Sequence, residues 1–218
     1  MAIARDSHTG VNPANGTSFT QSHTCTGSNL LLTVWVIIGN SSDVVTGVTY
    51  NGVSMTRAKA HLNVSVSGGY LYCYVLANPS TGANNVVVSA STTMTSIVCY
   101  IQSYTGVSQS NTTDSVAEGN KPTSTTFSIS TSVVASGCWL ICGTRDDSGN
   151  SSAGSGTTKI SSLSAGFGQQ LWDSNGTVGT GTQSLNMSNS FSGTNWDGII
   201  ISIAPYVPTN NLQLLYVG

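Results

Sequence analysis

The stretch from residue 69 to residue 107 constrains the fold more than any other part of the chain. It opens with tyrosines that alternate with smaller apolar residues, the pattern of a β-strand whose side chains point to two faces in turn. A turn follows, because Pro79 cannot donate to a strand ladder and Gly82 tolerates a positive φ. A valine triplet and a last apolar run supply two more strands. Since there is no room for a crossover connection, we predict an antiparallel meander of three strands.

Similar short strand patterns fill the rest of the chain. The pair Asn51-Gly52 separates two of them, which is the strongest local signal of a β-hairpin. No run of ten to twelve residues shows the helical period, and no internal repeat is detectable. About a dozen short strands at this spacing indicate an all-β fold, an antiparallel two-sheet β-sandwich of jelly-roll-like form.

The two ends lack strand periodicity. Residues 1–17 are predicted to form an extended N-terminal arm, residues 18–204 the β-sandwich domain, and residues 205–218 a C-terminal arm. The C-terminal arm ends in an apolar string that we expect to mediate assembly, because such side chains are unfavourable in water. The string consists of Leu212, Leu214, Leu215, Tyr216 and Val217.

The charge content restricts the classes of partner. Only 14 of the 218 residues are charged, six basic and eight acidic, against about a quarter in a soluble domain. Six scattered basic residues cannot neutralise a run of phosphates, so nucleic acid is not expected as a partner. No segment approaches 18 consecutive apolar residues, so membrane insertion is not expected either. The first residues carry no secretory apolar stretch, which predicts folding in the cytoplasm.

The cysteines are predicted to be reduced and buried. There are five, an odd number, and no pair has the C-x-x-C spacing. Cys138 and Cys142 are four residues apart on a predicted strand, hence roughly 13 Å apart, too far for a direct disulfide. We expect all five to act as small apolar side chains. They are Cys25, Cys73, Cys99, Cys138 and Cys142.

Three predicted strands are apolar on both faces, at residues 30–38, 138–143 and 199–203. In an isolated two-sheet sandwich, the outer faces should be polar. Either loops of the same chain cover these strands, or an outer face meets another chain. The apolar string at the C-terminus favours assembly with another chain.

No catalytic or metal-binding arrangement is recognisable. Glu118 is the one glutamate, whereas a glycosidase needs two carboxyl groups around the bond it cleaves. Asp146 and Asp147 are expected to be solvated turn residues. As an alternative they could ligate Ca²⁺, although the spacing of an EF-hand loop is missing. The three histidines are isolated, and no G-x-S-x-G is present. We therefore expect no enzyme, no metal and no cofactor.

The tyrosine stripe at the start of the meander is the one feature that resembles a ligand site. Sugars stack on exposed aromatic faces, so Tyr70, Tyr72 and Tyr74 are the candidate binding residues. The alternative is that these tyrosines pair across strands within a half-buried sheet.

Hairpin and turn residues carry a resemblance to a known family. They are VTYNGVSMT at 48–56, LANP at 76–79 with Gly82 and the valines 86–88, YTGVSQ at 104–109 with Asp114, and Trp196 with Gly198. Over roughly residues 18–204, the chain resembles a recurrent β-sandwich domain of phage virion proteins and bacterial surface proteins. The resemblance implies the fold, and the family has no shared catalytic residues to transfer.

The resemblance implies a non-enzymatic structural protein of a phage virion, a capsid decoration or fibre-type surface component. We expect it to be assembled in the host cytoplasm through its arms and apolar sheet faces, with other virion proteins or copies of itself as partners. The alternative is a carbohydrate-binding or adhesion module with host glycans as ligands.

Overall fold

The chain folds into β-structure. A computed structural model describes residues 1–65 and 68–208, and these form seventeen strands in four sheets, with no helix in those two ranges. Every strand pairing is antiparallel. The predicted all-β antiparallel sandwich class is confirmed.

The first nine strands form a jelly roll, which we call the N-terminal roll. They are β1 (Ala4–Val11), β2 (Gly16–Cys25), β3 (Leu31–Ile38), β4 (Val45–Tyr50), β5 (Val53–Ser54), β6 (Thr56–Leu62), β7 (Tyr70–Ala77), β8 (Gly82–Met94) and β9 (Val98–Thr105). Pairing is nested: β1 with β9, β2 with β8, β3 with β7, and β4 with β5. The inner sheet has the order β1-β9-β3-β7-β6 and the outer sheet β2-β8-β4-β5. This nesting is the jelly-roll arrangement.

The remaining eight strands repeat that arrangement as a C-terminal roll. They are β10 (Thr113–Lys121), β11 (Thr126–Val133), β12 (Trp139–Asp146), β13 (Ser151–Ala153), β14 (Thr158–Ser164), β15 (Gly168–Asp173), β16 (Gly181–Asn189) and β17 (Trp196–Ile203). The inner sheet is β10-β17-β12-β15-β14 and the outer sheet β11-β16-β13. The chain therefore holds two sandwiches, not the one two-sheet sandwich expected over residues 18–204. It also contains a topological repeat that no sequence pattern reveals.

The two inner sheets pack against each other, so four sheets form three apolar layers. We call the layer between the rolls the joint core. Both faces of β3, β12 and β17 are buried, one in the roll's own core and one in the joint core. The strands that are apolar on both faces are thus covered by the other half of the same chain. The expectation that these faces meet another chain is wrong. The joint core includes Leu31, Trp35, Ile37, Leu71, Cys73, Tyr100, Ile141, Leu171, Ile199, Ile201 and Ile203.

Close contact between the rolls depends on Gly143 of β12. A Cβ atom at this position would lie 2.6 Å from Cε3 of Trp35 on β3, closer than real Cβ contacts. Trp35 is fully buried, and its indole Nε1 donates to Thr33 Oγ1 at 3.2 Å. Since the ring cannot move outward, only glycine lets the inner sheets meet at this point.

The structure changes the predicted ends of the domain. Residues 4–11, assigned to an N-terminal arm, form β1, which pairs with β9 at the edge of the inner sheet. The sequence of β1 is polar and carries no strand signal, because an edge strand that is partly exposed need not be apolar. At the other end, residues 205–208 follow β17, and the string from Leu212 to Val217 lies outside the described residues.

The predicted meander over residues 69–107 is also incorrect in its pairing. Its three strands are present as β7, β8 and β9, but β8 belongs to the outer sheet and β3 lies between β7 and β9. The turns therefore carry the chain from one sheet to the other, which local strand patterns cannot reveal. The Asn51-Gly52 hairpin is confirmed, with φ values of 49° and 76° at these two residues.

Candidate functional site

The tyrosine stripe lies in the core of the N-terminal roll. Tyr72 and Tyr74 are 0% and 3% exposed, and Tyr70 packs partly against the same core. The hydroxyl of Tyr72 accepts a hydrogen bond from the Val44 backbone N–H at 3.1 Å. The Tyr72 ring contacts those of Tyr70 and Tyr74 with centroids 5.5 Å and 6.5 Å apart, so these contacts run along one strand, whereas the alternative expected pairing across strands in a half-buried sheet. This placement contradicts the predicted role of the stripe as a sugar-binding surface.

The five cysteines are free and buried, as predicted. Burial raises the pKa of every one of these thiols, so the reactive thiolate form is disfavoured. They act as core side chains.

Both described ends of the chain meet at one end of the molecule, which we call the terminal pole. The N-terminal ammonium of Met1 donates to the Tyr206 carbonyl at 3.1 Å. The Tyr206 N–H in turn donates to the carbonyl of Gly106 at 2.7 Å, and Val107 forms a β-bridge with Pro205. The connection between the rolls and the start of the C-terminal segment are therefore held together beside Met1.

The opposite end, which we call the distal pole, carries an open pocket. Strands β12 and β17 run between the poles, since Trp139 pairs with Ile203 at one end and Asp146 with Trp196 at the other. Eight strand residues span roughly 25 Å. The loops that follow β12 and precede β17 enclose about 340 Å³. The residues lining this distal pocket are Asp147, Ser148, Phe191, Ser192, Gly193 and Thr194.

Hydrogen bonds hold the walls of the distal pocket in place. The Asp147 carboxylate accepts from the Asn195 backbone N–H at 3.0 Å and from its Nδ2 at 2.7 Å. The Phe191 N–H donates to Asn189 Oδ1 at 2.9 Å, and the Thr194 hydroxyl donates to the Phe191 carbonyl at 3.0 Å. The Phe191 backbone is thus fixed on both sides, while its side chain is 54% exposed.

Asp146, next to the pocket, is a turn residue. It is fully buried, and its Oδ1 accepts from Ser148 N–H and Gly149 N–H at 2.9 Å and 2.6 Å, while Oδ2 accepts from Ser151 Oγ at 2.7 Å. Both carboxylate oxygens are engaged within the loop, as in a turn residue, but the expectation that Asp146 is solvated is wrong, whereas Asp147 is exposed. Within residues 1–65 and 68–208, no group of three or more His, Cys, Asp or Glu side chains is arranged to hold a metal ion.

A charged cluster spans the two rolls on one side of the joint core. His61 of β6 lies between two carboxylates, with Nδ1 3.1 Å from Glu118 Oε2 and Nε2 3.2 Å from Asp197 Oδ1. Lys59 also pairs with Glu118, at 3.3 Å. Arg145 is buried over the Phe167 ring, and burial lowers the pKa of its guanidinium to about 10, against a raising effect of Asp197. Since its members come from β6, β10, β12 and β17, no sequence spacing could have revealed the cluster.

A second polar network has the residue types of a serine-hydrolase triad in a different order. Ser103 Oγ donates to Asp6 at 2.7 Å, and His23 Nε2 lies 3.2 Å from the same Oγ. In a triad the carboxylate orients the histidine, whereas here Thr9 Oγ1 contacts His23 Nδ1, at 3.0 Å. Ser103 and His23 are 0% and 2% exposed. The network therefore links β1, β2 and β9, and its serine, Ser103, is not accessible to a substrate.

The buried His23 predicts that stability falls in mild acid. Burial lowers the pKa of His23 to about 4, against a raising effect of the nearby Asp6 carboxylate. As the pH falls below the unfolded value of about 6.5, the unfolded chain binds a proton that the folded chain excludes. This favours unfolding, by about 2 to 3 kcal/mol at pH 4.5 relative to pH 7.5. Urea unfolding at both pH values should show that the loss is smaller by this amount in His23→Gln. The same pH dependence in both proteins would contradict the assignment.

No helix within residues 1–65 and 68–208 has the length and apolar character needed to cross a bilayer.

The resemblance to a β-sandwich family is supported at the level of fold by the two jelly rolls. A relationship to phage virion proteins or bacterial surface proteins stays a prediction from sequence motifs. Comparisons with protein-family models, with curated proteins and with solved structures find no match to this chain.

Proposed function

We propose that this protein is a non-enzymatic structural component of a phage virion, a capsid decoration or fibre-type surface protein that assembles through its C-terminal arm. The jelly roll is a recurrent architecture of viral capsid and lectin domains, and this chain carries two of them in tandem. The partners are other virion proteins or copies of the chain. The buried free thiols favour assembly in the reducing cytoplasm of the host.

The observation that carries the proposal is the tandem pair of jelly rolls, and the joint core between them restricts how the protein can assemble. The large apolar faces of the inner sheets are buried against each other within the chain. Strands of the outer sheets, such as β11, alternate buried and exposed residues. Assembly through apolar sheet faces is therefore dropped from the proposal. Val207, which is 74% exposed at the terminal pole, leads into the apolar string from Leu212 to Val217.

The string has enough apolar side chains to provide a useful contact. Each fully buried side chain of this kind contributes about 1.5–3 kcal/mol, so five give on the order of 10 kcal/mol. The loss of translational freedom and the ordering of side chains on association offset much of this gain. The remaining free energy suits a contact that forms when many copies lie side by side on a particle.

Deletion of residues 209–218 is expected to abolish oligomerisation or incorporation into particles without unfolding the rolls. The melting temperature should stay unchanged, because the described residues contain all three apolar cores. Sedimentation velocity at micromolar concentration measures the first effect, and particle incorporation measures the second.

Two double variants of full length test whether the deletion acts through the loss of apolar side chains or through the shortening of the chain. Leu214→Ser with Leu215→Ser should reproduce the deletion, whereas Asn210→Ser with Asn211→Ser should not. A truncated protein that assembles like the full chain would refute the role of the arm.

A further inference from the structure

We infer that the distal pocket binds a neutral pyranose ring of a glycan. This goes beyond the proposed structural role, which requires no ligand. Three features of the pocket carry the inference: an exposed aromatic ring, hydrogen-bonding groups with free capacity around it, and a single negative charge.

Phe191 supplies the stacking face. Among the exposed large hydrophobic side chains of residues 1–65 and 68–208, it is the one aromatic ring. By contrast, Phe127 of the same roll is 2% exposed and stacks on Trp196 in the core. The apolar C–H face of a pyranose covers such a ring, and the loop already holds the Phe191 backbone through Asn189 and Thr194. Since the backbone is already held, binding has to order the Phe191 side chain but not the loop at this residue.

The polar groups of the distal pocket retain capacity for sugar hydroxyls. Each Asp147 oxygen accepts one hydrogen bond from Asn195, and a carboxylate offers about four lone-pair sites. Two sites thus remain for hydroxyl donors. Ser192, an exposed residue of the pocket lining, adds a hydroxyl, whereas Thr194 is 3% exposed and its hydroxyl donates to the Phe191 carbonyl as part of the wall. A few polar groups converging beside an apolar surface are typical of small-molecule sites.

Charge and size define the class of sugar. The one charged group lining the pocket is the Asp147 carboxylate, which would repel a sialic or uronic acid. The volume of about 340 Å³ lies at the low end for ligand sites, which suits one or two rings. If the C-terminal arm anchors the protein, the pocket faces away from the particle, because it lies at the opposite pole.

The test uses the full chain and the methyl glycosides of glucose, galactose, mannose and N-acetylglucosamine. Saturation-transfer NMR and chemical-shift titration should detect at least one of them, with a Kd of about 1 mM for a ligand of this size. Phe191→Ala should weaken that binding at least about tenfold, whereas Phe191→Trp should retain it. Asp147→Asn should weaken it about three- to tenfold.

Val134→Ala is the matched control, because Val134 is an exposed apolar residue, 74% exposed, outside the pocket. It should leave binding unchanged, and all variants should melt like the parent protein. The inference is overturned if no glycoside binds up to roughly 50 mM, if Phe191→Ala binds like the parent, or if a sialoside binds more tightly than every neutral sugar. Deletion of residues 209–218 should not alter glycoside binding, so the failure of either proposal is distinguishable from the failure of the other.

Discussion

Ile201→Asp is expected to prevent the chain from folding. Ile201 lies on β17 between Ile141 of β12 and Val116 of β10. Its side chain is fully buried in the joint core. An unpaired carboxylate in this layer loses its hydration and gains no partner. The expected cost is several kcal/mol, comparable with the whole stability of about 5–15 kcal/mol.

Urea unfolding followed by circular dichroism measures the effect, and two further variants calibrate it. Ile201→Val keeps the layer apolar and should cost about 0.5–1.5 kcal/mol. Ser128→Asp introduces the same charge on the exposed face of β11 and should change stability by less than about 0.5 kcal/mol. If Ile201→Asp is soluble and melts cooperatively near the parent temperature, the residue does not lie in a core.

The positions of many strands follow from local patterns in the sequence. The strand predicted from the alternating tyrosines is β7 (Tyr70–Ala77), and the apolar run predicted as a strand at residues 199–203 lies within β17 (Trp196–Ile203). Side-chain alternation and the turn chemistry of Pro79 or Gly82 act over a few residues, so a short window of sequence contains them.

The pairing of strands depends on contacts that no short window contains. An apolar run on both faces, as in β3, predicts that both are buried but does not identify what covers them. The second face of β3 is covered by β12 and β17, which belong to the other roll. The repeat is equally hidden, because the two rolls share an order of pairing and no detectable residue pattern.

The candidate site was harder to predict than the fold. The tyrosine alternation was the most prominent aromatic pattern, but β7 is flanked by β3 and β6 and its tyrosines fill a core. Phe191 stands alone among serine, asparagine and glycine, so no period marks it. Its ring is exposed while Asn189 and Thr194 bond to its backbone, an arrangement that only the folded loop shows.

The buried ion pair between Arg5 and Asp173 left one signal in the sequence, the rarity of charged residues. In a chain with 14 charged residues, Asp173 follows the apolar pair Leu171-Trp172, where a solvated charge is not expected. The structure places this carboxylate at 0% exposure, against Arg5 of the other roll. The partner could not be predicted, because β1 and β15 are distant in sequence.

Asp173→Ala is expected to cost about 3–5 kcal/mol, the second largest effect of a single substitution. Its carboxylate accepts from Arg5 Nε at 2.7 Å, from the Tyr104 hydroxyl at 3.3 Å and from the Asn175 N–H at 2.9 Å. The hydrogen bond to Asp173 raises the pKa of Arg5 above its usual value. Removal of the carboxylate leaves the buried Tyr104 hydroxyl without its acceptor and Arg5 without its counter-charge. Because the Arg5 side chain is 31% exposed, part of its charge regains water, which places the expected cost near the lower value.

Three comparisons separate the buried pair from an ordinary ion pair. Arg57 and Asp43 form an exposed pair, 43% and 40% exposed, so Asp43→Ala should cost less than about 1 kcal/mol. High salt should remove that small effect and leave the cost of Asp173→Ala nearly unchanged, since buried pairs are screened much less. The double variant Arg5→Leu with Asp173→Leu should regain much of the lost stability, because neither charge is then left unpaired between the rolls. If Asp43→Ala and Asp173→Ala cost the same free energy of unfolding, the Arg5–Asp173 pair does not join the two rolls.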